Sequence, residues 1–157
     1  MTGSVSTSLG AKLHAEAIRP GLRDVILGGL VDLGPRAAMA IHLEAGELTV
    51  ETREDVRVHP GPCLVWMPFD RNLRLRARAG SQGGFVIAGD ATLASAIGRR
   101  AESADLRLLS GGMVHLGLSG RPRLAADAGQ CMDMILREAR AAEAGAEAII
   151  EVQIRIL

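Results

Sequence analysis

The side chains of this chain best able to hold a metal, or to act as nucleophile or base, are four histidines and two cysteines: His14, His42, His59, His115, Cys63 and Cys131. Cys63 and Cys131 stand far apart and match no zinc spacing, so they read as free buried thiols of a reducing cytosol. A metal held by His42, His59 and His115 requires that the three converge in space. Otherwise each reads as a surface or internally satisfied histidine. The stretch GSQGG, from Gly80 to Gly84, lacks the lysine and following helix of a phosphate-binding loop and reads as a strand connection. LSGG around Ser110 lacks the glycine spacing of a nucleophile elbow. Cys131, Met132 and Met134 crowd one helical turn, which suits adaptable packing better than a soft-metal site. Arg74, Arg76 and Arg78 form an alternating row, either an anion-attracting edge or simply a solvated strand face. The residues thus predict no catalytic group, no metal and no cofactor.

The elements that would position these groups change character along the chain. Residues 1–21 read as a loose N-terminal arm ending at Pro20-Gly21. From Val25 to Ile87 short strands are separated by Gly, Pro and Asp. AMAIHLE is one. In GELTVETRED, Leu48, Val50 and Thr52 share one face and Glu47, Glu51 and Arg53 the other. VRVHPG directs Val56 and Val58 inward. CLVWMP is nearly continuous in its apolarity, NLRLRARA alternates cleanly, and GFVIAG closes the series. Strands of this length and spacing indicate a small sandwich or barrel. DATLASAIG then reads as a short helix and MVHLGL as one more strand. From Leu124 to Ala142 the period becomes helical, with Leu124, Ala128, Cys131, Ile135, Ala139 and Ala142 on one stripe. The end, EAIIEVQIRIL, alternates like a strand. It also places Glu147, Glu151 and Arg155 four apart on a helix, and continuity with the Ala-rich segment before it favours the helix. So apolar a helix must be covered by the barrel, by a second copy of the chain, or by both.

Composition narrows the function. The 157 residues suit one domain, and 18 basic against 18 acidic side chains leave no basic excess for a nucleic-acid surface. Tyrosine is absent, and Trp66, Phe69 and Phe85 are the only aromatics, too few for a single-strand stacking platform. The first twenty residues have no apolar core of a signal peptide, and no apolar run approaches the length of a membrane helix. A cytoplasmic protein without membrane contact is the expectation.

The block GELTVETREDVRVHPGPCLVWMPFDRNLRLRARAG resembles the cupin barrel, with a strand opened by Gly46, the Pro-Gly of VRVHPG, an apolar strand ending at Pro68 and a further strand from Asn72. Followed by MDMILREARAAEAGAEAIIEVQIRIL, it resembles the N-terminal effector-binding and dimerisation domain of bacterial AraC-type transcription regulators. The resemblance spans roughly residues 22–157. It implies a mainly β fold: an RmlC-like jelly-roll barrel over 22–120, followed by two C-terminal helices in a dimerisation segment over 121–157. It implies a small-molecule effector in the barrel and a homodimer. In that family helix-turn-helix units that touch DNA would come next; this chain carries none, so no direct nucleic-acid contact is expected from it. In metal-dependent cupins the ligands would fall at Met39, around Leu33 to Pro35 and near Asn72 or Leu73, and none of these is His or Glu. The barrel interior offers Met39, His42, Val50, Trp66, Asn72 and Phe85 as candidate ligand-binding residues, unless Trp66 and Phe85 pack it solid. Ile135, Ile149, Val152 and Ile156 are the candidate dimer interface. Two rival functions stay open: a cupin-fold isomerase or dioxygenase with an unfamiliar metal site, and a ligand-free dimeric interaction module.

Overall fold

The fold was analysed in a computed structural model. It describes residues 7–8, 13–29, 31–34, 36–70, 72–90, 92–93 and 112–141, together with Ala146, Ile149, Ile150 and Gln153. Among the described residues ten strands form two antiparallel sheets. In chain order they are β1 (Thr7–Ser8), β2 (Leu13–Ile18), β3 (Val25–Leu27), β4 (Ala37–Ala45), β5 (Glu47–Glu51), β6 (Val56–Pro60), β7 (Cys63–Phe69), β8 (Arg74–Ala77), β9 (Gln82–Ala88) and β10 (Val114–Gly117). The helix α1 (Pro122–Ala141) follows. The larger sheet runs β1-β2-β9-β4-β7-β10 and the smaller β3-β8-β5-β6. Each consecutive pair from β4 to β9 is split between sheets or joined by a short turn, which gives the jelly-roll barrel expected from the sequence.

The inner rows of the two sheets make the main core. Met39, Ile41 and Leu43 of β4 meet Cys63, Val65 and Met67 of β7, Phe85 and Ile87 of β9, and Leu48, Val50 and Leu75 from the smaller sheet. Full burial of each large aliphatic among them contributes roughly 1.5–3 kcal/mol. The outer face of the larger sheet is buried too. There Leu13, Ala15, Ala40, Val86 and Ala88 pack with Met132, Ile135, Leu136, Ala139 and Ile150. The helical stripe therefore docks α1 onto β2, β4 and β9. Pro122 opens α1, where its missing N–H costs no helical bond, and Arg140 lies in the last turn, where a cation suits the helix dipole. Gly84 lies beneath it: a Cβ there would come within 2.8 Å of both Met132 and Leu136. Of GSQGG, then, Gln82, Gly83 and Gly84 open strand β9, and the bare backbone of Gly84 lets the helix approach. Ser81 receives the Glu47 amide on its hydroxyl at 3.1 Å.

Three expectations change. One C-terminal helix is described rather than two. Beyond it Ala146, Ile149, Ile150 and Gln153 are helical, and the rest of 142–157 lies outside the described residues, as does most of the short helix expected after Asp90. Leu13–Ile18, read as part of an arm, is a strand between β1 and β9. Val56 and Val58 point outward, at 59% and 52% exposure. The turn at 52–55 sets this register: the Asp55 amide donates to Thr52 Oγ1 at 3.0 Å, and Thr49 then faces Val58 while Leu48 faces His59. The arginine row behaves as a solvated face, with Arg76 3.6 Å from Asp24 and Arg78 3.7 Å from Glu47.

Candidate ligand-binding site

β2 alternates strictly. Leu13, Ala15 and Ala17 belong to the cluster under α1, so His14, Glu16 and Ile18 turn to the opposite, inner side. There an open cleft of about 770 Å³ lies where β2 of the larger sheet meets β3 of the smaller. This is within the size range of small-molecule sites. His14 and Glu16 stand at its polar end, with His14 Nε2 3.6 Å from Glu16 Oε2 and the His14 ring tilted against Phe85 at 5.9 Å between centroids. Leu27, Val31, Leu73 and Leu75 supply an apolar wall, and Glu51, Arg74 and Arg76 a charged rim. The cleft can receive a compact molecule with a polar head and an apolar body. Two side chains able to donate or accept hydrogen bonds sit at one end, and Thr49, Glu51, Arg74 and Arg76 add polar groups elsewhere in the lining.

The candidate residues read from the sequence fall in three places. Met39, Val50 and Phe85 face the inter-sheet core and are almost fully buried. His42 and Trp66 face the other way. Trp66 belongs to the cluster under α1, and His42 lies against the helix at Gly129, whose Cβ position is 3.5 Å from His42 Cε1. Their expected place inside the barrel is thus corrected. β4 and β7 are apolar on both faces, so alternation alone does not say which row points inward. Burial lowers the His42 pKa, while Glu44 and Asp133 pull it back up. Asn72 is exposed in the β7–β8 turn, accepting from Arg53 Nη2 at 3.1 Å, and does not reach the interior.

Of the candidate dimer residues, Ile135 is completely buried in its own subunit's cluster, which removes it from any interface. Ile149 is 41% exposed, and Val152 and Ile156 lie outside the described residues. Of the three histidines required to converge, His59 and His115 do, Nδ1 to Nδ1 at 2.9 Å, and His42 does not. Among the described residues no three of His, Cys, Asp and Glu gather as a metal site. Burial pushes the Cys63 thiol up to about 11, and burial with Asp127 raises Cys131. No helix among the described residues is long and apolar enough to cross a membrane.

His14 and Glu16 are the residues that sequence reading missed. The signal was present: LHAEA, Leu13 to Ala17, alternates small or apolar residues with polar ones over five positions, a strand pattern inside a segment read as an arm.

No family model matches this chain, and no curated protein matches it either. Among solved structures it is similar to the AraC-like transcriptional activator CuxR, at a TM-score of 0.49 and 11% identity over 96% of this chain and 53% of that one. It is similar to an apo ToxT variant from Vibrio cholerae, at a TM-score of 0.49 and 6% identity over 91% of this chain and 52% of that one. A third is an RmlC-like cupin family protein with a double-stranded β-helix fold from Methanocaldococcus jannaschii, at a TM-score of 0.36 and 13% identity over 57% of this chain and 82% of that one. The chain spans about half the length of the two regulators.

Proposed function

We propose that this chain is the ligand-sensing and dimerising portion of an AraC-type transcription regulator, and that it binds its effector without transforming it. The observation that supports the sensing role is the pairing of His14 and Glu16 at one end of a cleft with an apolar wall and a charged rim. The effector class this favours is a small amphiphile: its polar group meets His14 and Glu16, and its body lies on Leu27, Val31 and Leu75. The regulator class rests on the order of barrel and helix together with the sequence resemblance. Pairing of two chains would use the segment carrying Ile149, whose side chain is partly open to a neighbour. Binding to one arrangement of the barrel in preference to another would bias how two subunits present a DNA-binding region.

A thermal-shift screen of small amphiphilic acids, amines and alcohols tests the sensing role. A compound that binds only the folded chain stabilises it by about 2.7 kcal/mol at a hundred times its dissociation constant. The expected hit loses most of its effect in Glu16→Gln and in His14→Gln. Compounds that stabilise both variants as well as the parent chain would place the effector elsewhere. Sedimentation of Ile149→Glu tests the pairing: it should shift toward monomer, and an unchanged dimer would exclude this segment.

A further inference from the structure

The smaller sheet ends at β6 and the larger at β10. The two edges share no strand ladder among the described residues, so side chains must close this seam. His59 faces inward, opposite Leu48, and His115, opposite Val65, lies on the same side of its strand but stays exposed at the sheet edge. The rings stack at 4.8 Å between centroids and 26° between planes, with Nδ1 2.9 Å from Nδ1. That distance is a hydrogen bond, and a bond between two nitrogens needs one proton and one lone pair.

The burial of His59 fixes where the proton sits. The ring is 8% exposed, and its Nε2 is buried with no hydrogen-bond partner among the described residues. A proton on that Nε2 would be a buried donor without an acceptor, which costs more than a bare lone pair left in an apolar place. On that ground His59 carries its proton on Nδ1 and donates it to Nδ1 of His115, an exposed side chain whose own proton is then on Nε2.

A further proton has no comfortable position. On His59 Nε2 it places a cation in the apolar interior. On His115 Nδ1 it sets two N–H groups against each other and breaks the bond. Moving the shared proton to His115 as well forces His59 to hold its remaining proton on the buried Nε2. The neighbours offer no relief. Burial, His115 on β10 and Arg57 on β6 all act against a charge on His59. Arg57 is bound to Asp55 at 2.7 Å, Glu47 of β5 reaches Arg78 at 3.7 Å, and the Cys63 thiol of β7 is neutral.

We infer that His59 and His115 form a proton-operated latch across the β6–β10 seam, held shut by one shared proton and released when acid supplies a second. Release frees two strand edges at the side of the barrel away from the cleft, with exposed Val56, Val58 and Val114 beside them.

Two measurements on the intact chain test this. Long-range nitrogen–proton NMR near pH 7.5 should find His59 as the Nδ1–H tautomer and His115 as the Nε2–H tautomer, at a pH above the ordinary imidazole value of about 6.5. Two Nε2–H rings would overturn the latch. Hydrogen exchange at β10, corrected for intrinsic rates, should lose about tenfold protection between about pH 7.5 and about pH 5.5. In His115→Gln, an exposed and tolerant position, the amide can still accept from His59 but brings no second charge, so that loss should shrink to about twofold or less. A full acid loss in the variant, or none in the parent chain, would overturn it too.

Discussion

Ile135→Ala separates a helix docked within its own subunit from one that pairs two subunits. Ile135 has no exposed surface and shares its cluster with Leu13, Val86 and Met132. The substitution removes both γ carbons and the δ carbon. At about 0.8 kcal/mol per buried carbon the transfer loss is roughly 2.5 kcal/mol, and the unfilled cavity adds roughly 1 more. The expected loss is therefore about 3.5 kcal/mol, within the usual range of about 2–5 for such a truncation. With a urea slope of roughly 2 kcal/mol per molar, the unfolding midpoint falls by roughly 1.7 M. The assay is urea unfolding followed by far-UV circular dichroism, with sedimentation of the native protein alongside. Because the side chain is satisfied inside one chain, the dissociation constant of any self-association should stay the same within about threefold, a difference of less than 1 kcal/mol. A midpoint that barely moves, or a dissociation constant that weakens by the roughly three-hundredfold that the lost energy would imply, refutes the placement of α1.

Other consequences follow from the same packing and electrostatics. Gly84→Val should cost about 1–3 kcal/mol through overpacking against Met132 and Leu136, with Gly84→Ala milder; equal stability of all three proteins in urea would show that α1 stands off the sheet. Burial holds His42 and His59 below their ordinary 6.5, so the unfolded chain takes up protons that the folded chain refuses. Stability should be fully present above about pH 6.5 and decline as the pH falls below it, and a flat unfolding midpoint from about pH 7.5 down to about pH 5 contradicts this. With Cys63 pushed up to about 11 and Cys131 raised, both thiols should resist a disulfide reagent in the native protein near neutral pH and react fully in urea. Fast native labelling of Cys63 would mean that the core between the sheets is open.

The sequence disclosed strands more readily than faces. NLRLRARA carries its own register, because charge and apolarity alternate without a break, and Arg74, Leu75, Arg76 and Ala77 lie out, in, out and in. VRVHP misleads because valine is the residue most expected to be buried. Here the four-residue turn after Glu51 decides the pairing, and it turns His59 inward and Val58 to water. In AAMAIHLEA both rows are largely buried, one between the sheets and one beneath α1, and in CLVWMPF the outer row of Leu64, Trp66 and Pro68 is as apolar as the inner one though only half-buried or exposed. No periodicity could separate Met39 from His42, or Met67 from Trp66. The helix that creates the second buried face is far along the chain, and its docking onto β4 and β9 is long-range information that a local pattern lacks. The cleft was hidden for a related reason. His14 and Glu16 are polar, and polarity in a terminal segment resembles solvent exposure until the opposite sheet is in view.

β2 has consequences beyond placing two polar groups. Its odd-numbered side chains, Leu13, Ala15 and Ala17, lie against the helical layer, and His14 and Glu16 hang from the same backbone into the cleft. A strand is stiff along its length, so a guest that draws Glu16 toward itself also tilts Ala15 and Ala17 on the reverse side. With methyl groups as the only spacers there, the helix has little slack to absorb that tilt. The thickness of a single strand is all that separates the place where a molecule would arrive from the surface that would have to report it.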